Sequence, residues 1–403
     1  MLDERAIQIT GPGSSSDELR RARISISLIF LIHGILVSSW LSRIPAAQAK
    51  LHLSVGILGA TLLATAAGAL IAMPLTSKLV GRFGSARVTR ASTLLLCVSV
   101  VLPGLAWNTP VLAAALFVYG AAAGLMDVAM NTEGVAVEAA YSRPVMVGFH
   151  ALFSFGGMIG SLMGSLAAGY AIEPQWHLAA VGGALAVASI PVCRHMLVNA
   201  PEPLPGTSAT RELLRPLMGL GLVAFCILLG EGAMADWSAV YLGQLSSPAA
   251  APLGYAVFSL AMALGRLRGD WFHERLGSVA TVRWGSALAA AGLGIALLAG
   301  GVPVTLAGFA CAGWGFSAIF PILCSVAGKK AAGKPQAGIA AVSATGYLGF
   351  LVGPPMIGFL AQASSLRMAL LLVAALSGLA SAMARVTRSN SRDVLSGPLL
   401  PPL

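Results

Sequence analysis

Residues 124–141 read "GLMDVAMNTEGVAVEAAY", and the fold turns on what this stretch is. Asp127, Asn131, Glu133 and Glu138 stand among alanines, valines and glycines. Either this is an amphipathic helix in water, or it crosses a membrane and its acids have work there. Composition decides between the two. Of 403 residues 57% are hydrophobic and only 10% charged, where a soluble domain carries about 25% charged residues. The chain therefore reads as a membrane protein. Its net charge of +10 comes from arginines and lysines between apolar runs, the pattern of loops on one side of a bilayer, and does not point to nucleic acid.

A helix that spans a bilayer needs roughly 20 apolar residues. Twelve candidate spans have cores at 24–45, 54–77, 88–106, 110–138, 147–171, 178–197, 214–243, 253–269, 282–300, 303–327, 337–361 and 366–386. The expected organisation is a cytosolic tail 1–23, a six-helix bundle 24–197, a cytosolic linker 198–213, a second six-helix bundle 214–387 and a cytosolic tail 388–403. With the N-terminus inside, all of the 25 lysines and arginines except Arg43, Lys50 and Arg367 fall on the inner side. That bias predicts both termini in the cytosol. Residues 1–23 have no apolar core and do not read as a cleavable signal peptide. The five cysteines lie in apolar runs without a C-x-x-C pair, so neither a disulfide framework nor a zinc site is expected.

The halves partly coincide at an offset of 193 residues. Arg82-Phe83-Gly84-Ser85 falls on Arg275-Leu276-Gly277-Ser278, Gly120 on Gly313 and Gly156 on Gly349. The fold class expected is an all-α membrane protein of two pseudo-symmetric six-helix bundles. Parallel repeats of this kind place a substrate site near the bilayer midplane, between the halves.

These features resemble the major facilitator superfamily over nearly the whole chain. The family's loop signature, roughly G-x-x-x-D-[RK]-x-G-[RK], meets "SKLVGRFGSAR" after the second span. Arg82, Gly84 and Arg87 fit, but Gly81 takes the acid position. The second-half copy, "GDWFHERLGSVATVR", keeps the acid as Glu274 before Arg275. Arg82 and Glu274 are accordingly assigned to the inner gate. "MDVAMNTEGVAVE", "GFHALFSFGG" and "EGAMADWSAVYL" are similar to the bacterial branch that includes rhizopine transporters, distantly related to fucose permeases. Drug-efflux members carry an arginine in the fourth span about four residues before a glycine; Leu116 stands there, before Gly120.

Ionisable groups inside a span are costly and usually face a cavity. On a wheel of about 100° per residue, Asn131 and Glu138 lie within about 40° of Asp127, while Glu133 points away. Asp127 is the leading proton carrier, Asn131 and Glu138 share its stripe, and Glu133 reads as a structural partner. His33, Glu231 and His150 are further candidates for proton or substrate contact. Trp40, Trp314 and Tyr347 could stack on a ligand or simply pack. Arg43 and Asp236 lie near the outer ends of the first and seventh spans, which meet there in the family's fold, and are expected to pair in an outer gate. Pro321 and the "GPP" at 353–355 are expected to bend their helices.

The chain holds no Walker loop, H-E-x-x-H, G-x-S-x-G or cysteine–histidine cluster. The reading is a monomeric secondary transporter of the bacterial inner membrane, without cofactor, metal or catalytic set. Its expected partners are a small solute, protons and the bilayer, not nucleic acid. The resemblance implies a sugar-derivative-like substrate. The alternatives are efflux of amphipathic compounds and a non-transporting sensor on the same fold.

Overall fold

The computed structural model describes residues 16–141, 143–197, 211–331 and 334–388. Most of the expected N-terminal tail, the linker from 198 to 210 and the C-terminal tail from 389 lie outside the described residues. All regular structure among the described residues is helical: α1 (Ser16–Leu41), α2 (Ile44–Lys50), α3 (Val55–Phe83), α4 (Ser85–Ser99), α5 (Leu102–Leu105), α6 (Thr109–Tyr141), α7 (Met146–Gly169), α8 (Pro174–Val192), α9 (Arg211–Leu245), α10 (Leu253–Ala299), α11 (Val302–Phe316), α12 (Ile319–Lys330), α13 (Pro335–Ala363) and α14 (Leu366–Met383). The first helix starts at Ser16, within the stretch 1–23 expected as a tail.

Among the described residues, eleven helices or helix pairs are long and apolar enough to cross a membrane, and one of them, α10, runs for 47 residues. It is two spans joined at Gly277, whose φ of 75° and ψ of 166° are not helical. Gly84, 193 residues earlier, joins α3 to α4 with φ 84° and ψ 152°. Positive φ costs glycine little and other residues much, so the sequence repeat is also a backbone repeat. Where α6 crosses α3, a Cβ on Gly120 would sit 2.0 Å from the Thr65 carbonyl oxygen. Where α11 crosses α10, a Cβ on Gly313 would sit 2.1 Å from the Phe258 carbonyl oxygen. Gly120 with Thr65 and Gly313 with Phe258 are the same contact shifted by 193. Small residues let backbones touch where apolar side chains gain nothing by leaving lipid.

Short polar connectors start the helices. Ser54 accepts a hydrogen bond from the Ile57 N–H, Asn108 from Val111 and Ser365 from Met368, each satisfying a donor that the first helical turn leaves free. The proline expectations divide. Pro321 follows a real break at Ser317–Ala318 and stands third in α12, where its missing N–H costs little. Pro354 and Pro355 lie inside α13, which continues through them.

Large apolar side chains line the outside, with Ile71, Val98, Val187 and Leu298 each about two-thirds exposed. Such a surface requires lipid, and the chain is a multi-pass membrane protein. The face where α1 begins and α6 ends, with Lys78, Arg82, Arg143 and Lys329, is called the basic end below.

Candidate functional site

A cavity of about 480 Å³ lies between the N-terminal and C-terminal helices. Asp127 of α6, His150 and Phe153 of α7, Glu231 of α9, Arg266 of α10 and Tyr347 of α13 all face it. It reaches toward the basic end past Met146 and Asp270, near the start of α7 and the lower part of the first α10 arm. Toward the other end the halves meet. The Gly56 N–H donates to Gln362, Ser165 donates to the Ala249 carbonyl, and Gly59 abuts Gly358.

Arg266 is the best-connected charge in the cavity. Its Nη1 donates to Ser154 Oγ at 2.7 Å and to the His150 carbonyl at 3.1 Å. Its Nη2 lies 4.0 Å from Glu231 Oε2. One guanidinium thus ties α9 and α10 to α7 across the two halves. Ser259 reinforces the seam by donating to the Ser154 carbonyl at 2.8 Å. Arg266 was not among the candidates from sequence, although an arginine inside the expected span 253–269 was itself a signal.

Asp127 has no ion-pair partner among the described residues. Its Oδ1 accepts from Asn131 Nδ2 at 3.2 Å, and the same amide donates to the Asp127 carbonyl at 2.8 Å. Shifted by 193, Asp127 and Asn131 fall on Phe320 and Cys324, which line the facing wall. The repeat is therefore geometric, while polarity is concentrated on α6, α9 and α10.

The other acids of α6 are structural. Glu133 is fully buried; it accepts from Ser85 Oγ at 2.5 Å and from the Leu197 N–H at 2.7 Å. Glu138 does not join the cavity stripe. It accepts from the Val145 and Met146 N–H groups at 2.7 and 2.8 Å, closing the start of α7. Glu133→Ala is expected to cost about 1–3 kcal/mol, because two donors lose their acceptor in the interior. Thermal unfolding in detergent checks this, with Glu133→Gln falling between alanine and the parent.

Several candidates lie elsewhere. His33 is buried against Phe153, with ring centroids 5.2 Å apart, and neither ring nitrogen has a partner among the described residues. Trp40 is 1% exposed and belongs to the core. Trp314 faces a separate groove between α10 and α11. Arg43 does not pair with Asp236. Its guanidinium donates to the Gly164 and Ile172 carbonyls at the end of α7, beside a hollow of about 530 Å³ at the end opposite the basic one. These two carbonyls, one in the last turns of α7 and one in the connector to α8, hold the Arg43 guanidinium on the α7 side. Asp236 is half-buried and has no ion-pair partner among the described residues. Arg82 and Glu274 are exposed; Arg82 stacks over the neighbouring Phe83 ring, and Glu274 has no ion-pair partner among the described residues.

Helices from both halves around a central cavity, mostly apolar but holding Asp127, Glu231 and Arg266, have the arrangement of a membrane carrier. The Major Facilitator Superfamily profile matches residues 26–293, and the chain belongs to that family. It is 37% identical over 394 residues to an uncharacterized MFS-type transporter of Yersinia pestis, covering 96% of this chain and 99% of that one. It is 32% identical over 359 residues to the membrane protein MosC of Rhizobium meliloti, covering 87% and 86%. The fold is similar to the crystal structure of the nucleoside transporter NupG, with a TM-score of 0.70 at 13% identity over 92% of this chain and all of that one. The chain is thus an MFS transporter.

Proposed function

We propose that the protein moves a small polar organic solute by proton-coupled alternating access in the bacterial inner membrane, with both termini cytosolic. The observation that carries this reading is the uneven pair of acids in one cavity between the halves. Glu231 is held by Arg266, while Asp127 has only Asn131. An acid without a cation partner can take up and release a proton as the cavity changes its access to water. The excess of lysine and arginine at the basic end supports a cytosolic position for that end. The cavity opening there is then the inward-facing shape. A monomer suffices, since both walls come from one chain.

The walls also carry Phe153, Phe320 and Phe350, which supports the rival reading of an amphipathic cargo. A thermal-shift screen of purified protein against polyols, sugar derivatives and amphipathic cations separates the two. Uptake of a hit in proteoliposomes with and without a pH gradient then tests coupling. Gradient-driven flux is expected to vanish in Asp127→Asn while binding persists. Undiminished gradient-driven flux in that variant would reject Asp127 as the carrier.

A further inference from the structure

The groove that holds Trp314 lies on the membrane side of the C-terminal helices, between the two arms of α10 and the α11–α12 break. It has a volume of about 160 Å³; Phe272, Trp284, Leu288 and Trp314 form its sides. Its floor is thin. Gly269, Ser317 and Ala318 line this groove and also the central cavity. Whatever occupies the groove rests on the back of the cavity wall.

The charge beside the groove is arranged for an anion. Arg268 and Arg275 are seven residues apart on α10, hence about 20° apart on the wheel. Asp270 and Glu274 lie roughly 200° and 240° from Arg268, and Asp270 faces the central cavity. Arg275 stacks over Trp271 at 4.4 Å, and Trp271 contacts Phe272, which contacts Trp314 in the groove. Arg268 is exposed on a stripe shared with Leu264, Leu267 and Trp271, all exposed apolar side chains. It lies about 13 Å along the helix from the Gly277 turn. Among the described residues it has no hydrogen-bond or ion-pair partner. A lipid-facing arginine at that depth is costly unless it reaches an anion or water.

We propose that this groove binds an anionic phospholipid of the leaflet at the basic end. One acyl chain lies between Trp284 and Trp314, and the headgroup phosphate is held by Arg275 and Arg268. Zwitterionic lipid offers the same chains without the net charge, so the arginines set the selectivity.

The test uses the full chain in phosphatidylcholine vesicles and reads tryptophan quenching by lipids with brominated acyl chains. Brominated phosphatidylglycerol is expected to be preferred about thirtyfold over brominated phosphatidylcholine, the ratio that the surface attraction of two arginines gives. The excess quenching should shrink in Trp284→Phe and persist in Trp107→Phe, whose exposed ring lies at the opposite end. Arg268→Gln with Arg275→Gln should bring the ratio to one; both side chains are exposed, so the fold is expected to survive. Equal quenching by the two lipids, or a preference unchanged in the double variant, overturns the proposal.

Discussion

Leucine in place of Gly120 is expected to lower the yield of folded protein sharply, whereas leucine at Gly183 should be tolerated. A Cβ at Gly120 would meet backbone, the Thr65 carbonyl oxygen at 2.0 Å, and no side chain there can rotate away. The two helices would have to part along their contact. Overpacking usually costs about 1–3 kcal/mol, and displaced backbone puts this case at or above the top of that range. Against a total stability of about 5–15 kcal/mol that is a large fraction. At Gly183 a Cβ would find nothing within 4 Å. Gly313→Leu should match Gly120→Leu, because the Phe258 oxygen stands 2.1 Å from the corresponding Cβ. Size-exclusion profiles of fluorescent fusions report all three variants. Equal monodisperse yield for Gly120→Leu and Gly183→Leu would show that the α3–α6 crossing yields easily.

The second large effect is expected at Arg266. Replacing it with alanine removes two charge-assisted hydrogen bonds to α7 and the ion pair to Glu231. Such hydrogen bonds contribute about 1.5–3 kcal/mol each. A net shift of roughly 2 kcal/mol changes the balance of two conformations about thirtyfold. Cys324 lines the cavity and Cys97, Cys193 and Cys226 are buried, so with the half-buried Cys311 replaced by serine, maleimide labelling of Cys324 reads cavity access without a known substrate. Labelling from the basic end is expected to slow by an order of magnitude in Arg266→Ala. Glu231→Gln keeps both bonds to α7 and should label near the parent rate. The opposite ranking would move the tie between the halves from α7 to Glu231.

The spans and their repeat were legible because hydropathy and glycine spacing are local properties. The Gly84 and Gly277 turns recur at the same offset as the sequence match. The site was legible only in part. Angle on a wheel placed Glu138 beside Asp127, but the next helix begins close by and its free N–H groups claim that carboxylate. His33 and Trp40 share a face that points into packed helices, and a wheel does not distinguish that interior from the cavity. Arg266 was read as an inner-side charge because the expected span ended at 269. The helix continues to Leu276, which sets Arg266 about 15 Å inside its end.

The Gly277 turn also bears on how force travels. A single residue joins two membrane-crossing arms, so there is no slack between them. Any tilt of the first arm, which carries Arg266, is delivered to the second as in a crank. Gly84 couples α3 to α4 with the same economy of chain. Each half thereby has two of its spans coupled through one residue.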